Sequence, residues 1–130
     1  MFKRILLCED EPEIRRVIEL NLENMGHIVD CAMTADQAIE LFKASVSLST
    51  PYDLVITDVD MNGHTGLYFA SFIRAQGYCG RIVVLTNISL EVISHSVRAV
   101  GGEYHLKAQE INDLGPIVDG APEPKRRSGD

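Results

Sequence analysis

Two apolar runs in this chain each end in carboxylate. Ile5-Leu6-Leu7-Cys8 leads into Glu9-Asp10, and Leu54-Val55-Ile56-Thr57 leads into Asp58. Short hydrophobic strands ending in acid predict a parallel sheet with the acids gathered at its C-terminal edge. Open α/β folds place their chemistry at that edge. Three carboxylates crowded there repel: at an effective dielectric of about 20 and ~4 Å, each like pair costs on the order of 4 kcal/mol. Such a site binds protons or a hard cation. The cation fits better, because Mg²⁺ takes one or two carboxylates, several waters and a phosphate oxygen.

The rest of the chain alternates strand-like and helical patterns, the mark of parallel α/β architecture. Strands are expected at Lys3 to Cys8, His27 to Cys31, Asp53 to Thr57, Arg81 to Leu85 and Glu103 to Leu106. The first helix begins after Asp10, buries Ile14, Val17, Ile18, Leu22 and Met25 at helical spacing, and stops at Gly26. Thr34 and Gln37 have capping-box spacing for a second helix that runs to about Ala44, with Ala38, Ile39 and Phe42 inward. A third starts near Gly66, with Leu67, Ala70 and Ile73 inward, and a fourth covers Ser89 to Val100. Tyr68 and Phe72 then share the outer face of the third. Two readings stay open for them, an interface between copies or local packing against a loop. The last helix reads as stunted, capped by Asn112 and ended by Gly120. The pattern predicts a flavodoxin-like (βα)5 sandwich: a five-stranded parallel sheet of order 2-1-3-4-5, helices on both faces, and a short last helix.

A chain of 130 residues is one domain with room for a core. Residues 1–120 form that domain. Residues 121–130, with Pro122, Pro124 and Lys125-Arg126-Arg127, read as a disordered tail or the start of a linker. A net charge of −7 argues against direct nucleic-acid binding, which needs a basic face. Cys8, Cys31 and Cys79 are odd in number and lack metal-like spacing, as expected of free thiols in a cytoplasmic protein. His27, His64, His95 and His105 show no metal spacing either. No signal peptide is evident, and no apolar run approaches the ~18 residues of a membrane span.

In the 2-1-3-4-5 order the switch point falls between strands one and three, so Glu9, Asp10 and Asp58 meet in the ligand crevice. Thr86 directly follows Ile82-Val83-Val84-Leu85, and Lys107 directly follows strand five, so both reach the same edge. Three acids, a hydroxyl and a lysine can place a phosphoryl group on a carboxylate. Asp58 is then the nucleophile. Mg²⁺ on Glu9, Asp10 and Asp58 neutralises phosphoryl oxygens, while Lys107 pairs with another and Thr86 hydrogen-bonds a third.

These elements resemble, in this order, the receiver domains of two-component response regulators, the chemotaxis regulator among them. The matching stretches are Leu7-Cys8-Glu9-Asp10-Glu11-Pro12, Tyr52 through Asp58, Met61 and Gly66, Val83-Val84-Leu85-Thr86, and Tyr104-His105-Leu106-Lys107. The resemblance covers residues 3 to 119 and implies a phosphoacceptor signalling domain rather than an enzyme. It implies phosphorylation of Asp58 by a histidine kinase or phosphotransfer protein, and the backbone carbonyl of Asp60 as a further metal ligand. It also implies a switch in which Thr86 swings toward the phosphoryl group and Tyr104 rotates inward. The face made by helix four, strand five and helix five then changes its preference for a downstream protein. A homodimer is compatible with the chain.

Four positions depart from the family pattern. Asn62 and Ala108 stand where prolines are usual, Asn87 where alanine is usual, and Asp60 adds a carboxylate. Without a proline the peptide bond after Lys107 is expected to be trans, with a shifted loop. Asn87 is expected to narrow phosphoryl access, and Asp60 to repel a donor or alter water attack on the aspartyl phosphate. Phosphorylation at atypical rates follows, with Asp60, Asn87 and Ala108 as the tuning positions. Two rivals remain. One is a receiver-like interaction module that takes no phosphate. The other is an aspartate-nucleophile phosphohydrolase of the haloacid dehalogenase type, suggested by Asp58-Val59-Asp60 but with its acidic pair in the wrong chain order.

Overall fold

A computed structural model describes residues 2–61 and 65–120. The expectations for Asn62, His64 and the tail at 121–130 lie outside the described residues. In chain order the elements are β1 (Arg4–Cys8), α1 (Pro12–Asn24), β2 (Ile28–Ala32), α2 (Ala35–Ser47), β3 (Leu54–Thr57) and α3 (Gly66–Ala75). There follow β4 (Arg81–Thr86), α4 (Leu90–Ala99), β5 (Gly102–Leu106), α5 (Lys107–Glu110) and α6 (Gly115–Asp119). Every strand pairing is parallel, and the order is β2-β1-β3-β4-β5. This is the flavodoxin-like sandwich.

The period-two alternation of strand side chains divides the core. Leu6, Val55, Ile82 and Val84 face α2, α3 and α4, where they meet Phe42, Phe69, Ile73 and Val97. Ile5, Leu7, Ile56, Val83 and Leu85 face α1 and α6, where they meet Ile18, Leu22, Ile117 and Val118. The three central strands are thus buried on both faces, which explains their unbroken apolar runs.

The helices refine several expectations. In α1 only Ile18 and Leu22 are buried. Ile14 packs at the edge of the core, while Val17 and Met25 are exposed. Val17 lies at the margin of the apolar stripe, and Met25 is the C-cap, past the last helical turn. Gly26 follows in the left-handed region at φ 93°, as a helix-stopping glycine should. Thr34 caps α2 by accepting from the Gln37 N–H (3.0 Å), and Gln37 reaches back one residue beyond the expected partner, to the N–H of Met33 (2.7 Å).

In α3 the buried set is Gly66, Phe69, Ala70 and Ile73, an i, i+3, i+4, i+7 stripe, and Leu67 is only half-buried. Phe72 turns out not to be an outward residue. It packs against the core, with the Lys43 ammonium 5.9 Å over its ring, and Tyr68 alone is exposed. The last helix is short as expected, and a separate four-residue helix, α5, precedes it. Pro116 has no N–H with which to continue an upstream helix and is tolerated only in the first turn of α6. Asn112 does not cap that helix. The N-cap position falls on Leu114, which supplies no side-chain acceptor, and just before it the Asp113 carboxylate accepts from the N–H of Gly115 (3.2 Å).

Candidate functional site at the C-terminal edge of the sheet

The parallel register fixes the site. Cys8 pairs with Thr57, so Glu9 and Asp58 leave the sheet side by side, and the Asp58 N–H donates to the Cys8 carbonyl (3.1 Å). Leu106 pairs with Thr86, which delivers Lys107 to the same edge. All four polar residues, Glu9, Asp58, Thr86 and Lys107, are buried, and Asp10 is half-buried beside them.

Lys107 is the hub. Its ammonium lies 2.8 Å from Glu9 Oε1 and 2.5 Å from Asp58 Oδ2. The second oxygen of Glu9 accepts from the N–H of Glu11 (3.2 Å). The second oxygen of Asp58 accepts from the N–H of Val59 (2.6 Å). Burial pushes the Glu9 carboxyl above the usual carboxylate range, against the pull of Lys107. Burial pulls Lys107 down, but the hydrogen bonds and charges of Asp58 and Glu9 outweigh it and hold the ammonium above the ordinary lysine value. One ammonium shared by two buried carboxylates leaves the centre negative overall.

A crevice of about 240 Å³ opens above Asp58, walled by Glu11, Asp60, Thr86, Asn87 and Lys107. The Thr86 hydroxyl accepts from the N–H of Ile88 (3.2 Å), so it serves its own loop rather than Asp58. Tyr104 is half-buried, and its hydroxyl donates to the Ile88 carbonyl (2.7 Å). Asp60 and Asn87 are exposed at the rim. Among the described residues no peptide bond is cis, as expected for the bond after Lys107, and Lys107 opens the short helix α5.

α3 approaches the site closely. The Gly66 N–H donates to the Val59 carbonyl (3.0 Å), and a Cβ at Gly66 would collide with the Asp58 carbonyl and the Thr57 hydroxyl. Glycine is required there by space rather than by φ.

The site offers a cation only oxygen donors, as a hard divalent ion prefers. Among the described residues, no three His, Cys, Asp or Glu side chains are gathered as a metal cluster. Glu9 is turned onto Lys107. The carboxylates of Asp10 and Asp58 and the carbonyl of Asp60 fit such an ion in donor chemistry.

Glu11 and the contact between Asn87 and Ala108 were not singled out from sequence. Glu11 stands in the motif beside Glu9-Asp10, but no pattern of residue types marks it as a wall of the crevice. The N–H of Ala108 donates to Asn87 Oδ1 (2.9 Å), a pairing between positions 21 apart that no local spacing announces.

This fold, with a lysine-bridged acidic crevice at its switch point, is that of a small doubly wound α/β domain. Residues 5–117 match the family described as the response regulator receiver domain, and the chain belongs to that family. The transcriptional regulatory protein AruR of Pseudomonas aeruginosa is 31% identical over 116 residues, which are 89% of this chain and 46% of AruR. The chain therefore spans about half the length of that relative. Response regulator TrrA of Thermotoga maritima, solved in complex with Mg²⁺-BeF, is 33% identical with a TM-score of 0.76 over 91% of this chain and 97% of its own. A second structure, of histidine kinase ThkA in complex with TrrA, aligns at the same identity with a TM-score of 0.75, over 91% and 97% of the two chains. No helix among the described residues is long and apolar enough to cross a membrane.

Proposed function

We propose that this domain accepts a phosphoryl group on Asp58 from a phosphohistidine of a histidine kinase or phosphotransfer protein, in the cytoplasm, with Mg²⁺ bound. The single observation that carries the reading is the Lys107 ammonium set against both Asp58 and Glu9 on the floor of an open crevice. Support comes also from TrrA, which has been solved both with Mg²⁺-BeF and in complex with histidine kinase ThkA.

In the transfer an Asp58 carboxylate oxygen attacks phosphorus. The P–N bond to the donor imidazole breaks, and its electron pair leaves with the ring nitrogen. The Val59 N–H orients the carboxylate through Oδ1. Lys107 neutralises charge developing on the phosphoryl oxygens, and Thr86 supplies a hydroxyl once it is released from Ile88. Asp10, Asp58 and the Asp60 carbonyl would hold Mg²⁺, with Glu9 joining them on turning away from Lys107, and the ion would supply further charge neutralisation. Asp60 and Asn87 at the rim tune the rates of phosphoryl entry and loss.

The output follows from the same loop. Turning Thr86 toward the phosphoryl group breaks its bond to Ile88, whose carbonyl also holds Tyr104. Tyr104 lies on β5 and shares a surface groove with exposed Leu90 of α4, so its rotation alters the face offered to a downstream protein. The modification moves the equilibrium by its differential contacts in the two states.

The test is incubation with Mg²⁺ and acetyl phosphate, followed by intact mass measurement beside Asp58→Asn. Gain of one phosphoryl group by the wild type alone is expected. Equal gain by the variant would reject Asp58 as the acceptor.

A further inference from the structure

Two segments flank the crevice: the loop after β4, beginning at Asn87, and the turn that opens α5 at Lys107. They are joined by one hydrogen bond, from the N–H of Ala108 to Asn87 Oδ1 at 2.9 Å. That N–H belongs to the first turn of a helix, where the donors have no intrahelical acceptor. The N-cap residue of α5, Leu106, supplies no side-chain acceptor. α5 has only four residues, too few to sustain a helix by its own hydrogen bonds. Asn87 thus caps it from a different segment of the chain.

The residue held by this cap is the neighbour of the hub. Lys107 has its backbone fixed upstream by the pairing of Leu106 with Thr86, and downstream by the bond from Ala108 to Asn87. The loop bearing Asn87 is itself tied to β5 through the Tyr104 hydroxyl and the Ile88 carbonyl. Loop and turn are therefore a single braced unit, and the buried ammonium projects from it onto Glu9 and Asp58.

We propose that Asn87 is a positioning residue. Its side-chain carbonyl fixes the first turn of α5 and so holds the Lys107 ammonium on Glu9 and Asp58. The consequence for phosphorylation rests on the reading of Asp58 as phosphoacceptor; the bracing of Lys107 does not.

The experiment compares the full chain with Asn87→Ala, which removes the acceptor, and Asn87→Asp, which keeps an oxygen in its place. Three quantities are read: hydrogen exchange of the Ala108 amide, the rate at which acetic anhydride labels Lys107, and the rate of phosphorylation by acetyl phosphate with Mg²⁺. A single hydrogen bond of ordinary net strength corresponds to an effect of roughly 3- to 10-fold. Asn87→Ala should speed Ala108 exchange and Lys107 labelling by that factor, leave labelling of Lys3 and Lys43 unchanged, and slow phosphorylation. Asn87→Asp should restore exchange and labelling to near the wild-type rates. Equal Lys107 labelling in wild type and Asn87→Ala would overturn the proposal. So would faster phosphorylation of Asn87→Ala, which would make the side chain an obstruction at the rim. If the wild type takes up no phosphoryl group, the phosphoacceptor reading falls, and exchange and labelling still decide the brace.

Discussion

Two cation–carboxylate arrangements sit at opposite ends of the sheet. At the C-terminal edge, Lys107 is shared between Glu9 and Asp58, with side-chain exposures of 6%, 2% and 7%. At the start of β4, Arg81 makes a two-pronged contact with Glu103, both hydrogen bonds 2.8 Å, with exposures of 31% and 36%. Two further Arg81 donors reach the carbonyls of Ile117 and Val118 (2.7 and 3.2 Å), which anchors α6. The outer pair is balanced in charge and its fork is filled, so it acts as a fastener. The inner group is unbalanced and desolvated, and a buried ion pair is weak evidence for stability. Its geometry makes sense as a place prepared for more positive charge and for a phosphoryl group.

That contrast breaks most sharply at Lys107. Removing one partner from a buried group of charges costs about 3–5 kcal/mol, because the others are left uncompensated. Lys107→Met should therefore lose stability on that scale in urea denaturation without divalent cation. Millimolar Mg²⁺ should return part of it, since a ligand that binds only the folded state stabilises that state. A loss under about 1 kcal/mol would mean that water in the crevice already compensates Glu9 and Asp58.

The next effect tests how rigidly the inner end is built. Gly66→Ala inserts a methyl group against the Asp58 carbonyl and the Thr57 hydroxyl, both on buried residues. Overpacking of this kind costs about 1–3 kcal/mol. Because the displaced backbone belongs to Asp58, phosphorylation should slow by more than the stability loss accounts for. Normal phosphorylation at reduced stability would show that α3 can retreat without moving the acceptor.

Arg81→Met addresses the outer end. It removes a half-exposed ion pair and two hydrogen bonds to α6, with an expected loss of about 1–2 kcal/mol. Protection of the Val118 and Gly120 amides against hydrogen exchange should fall, while that of β1 and β3 is kept. Uniform loss across the sheet would mean that α6 is held by Ile117 and Val118 packing rather than by the arginine.

How much of this could be read in advance depends on whether the signal is local. The central strands were legible because burial on both faces writes an unbroken apolar run, and Glu9, Asp58 and Thr86 were legible because each closes such a run, while Lys107 follows the mixed, half-buried edge strand β5 and was legible only by its place after that strand. Val17 and Phe72 were misjudged for the opposite reason. Each lies at the margin of a helical stripe, where the neighbour across the gap decides burial. In α3 the stripes through Phe69 and through Leu67 share Ala70 and Ile73, so sequence spacing alone does not decide that Phe69 is the one that faces the core. The engagement of Glu9 by Lys107 and the brace from Asn87 to Ala108 link residues far apart in sequence, and side-chain direction settles both.

The smallest effect separates charge from packing at the outer pair. Hydrogen bonds from Arg81 hold the Glu103 carboxyl below the usual carboxylate range, against the opposing effect of burial. Its folded value thus lies below its unfolded value, about 4.3. The pair's contribution is therefore fully present above the unfolded value and is lost as pH falls through the folded one. With Glu103 about a third exposed, solvent screening limits that contribution to roughly 0.5–1 kcal/mol. The stability difference between wild type and Glu103→Gln should be constant from about pH 7 to pH 5 and shrink below about pH 4. It should also shrink at about 1 M salt, where exposed charges are screened within ~3 Å. A difference that persists through both changes would assign the fastening of α6 to the shape of the Arg81 fork and its two carbonyl contacts, with the Glu103 charge a bystander.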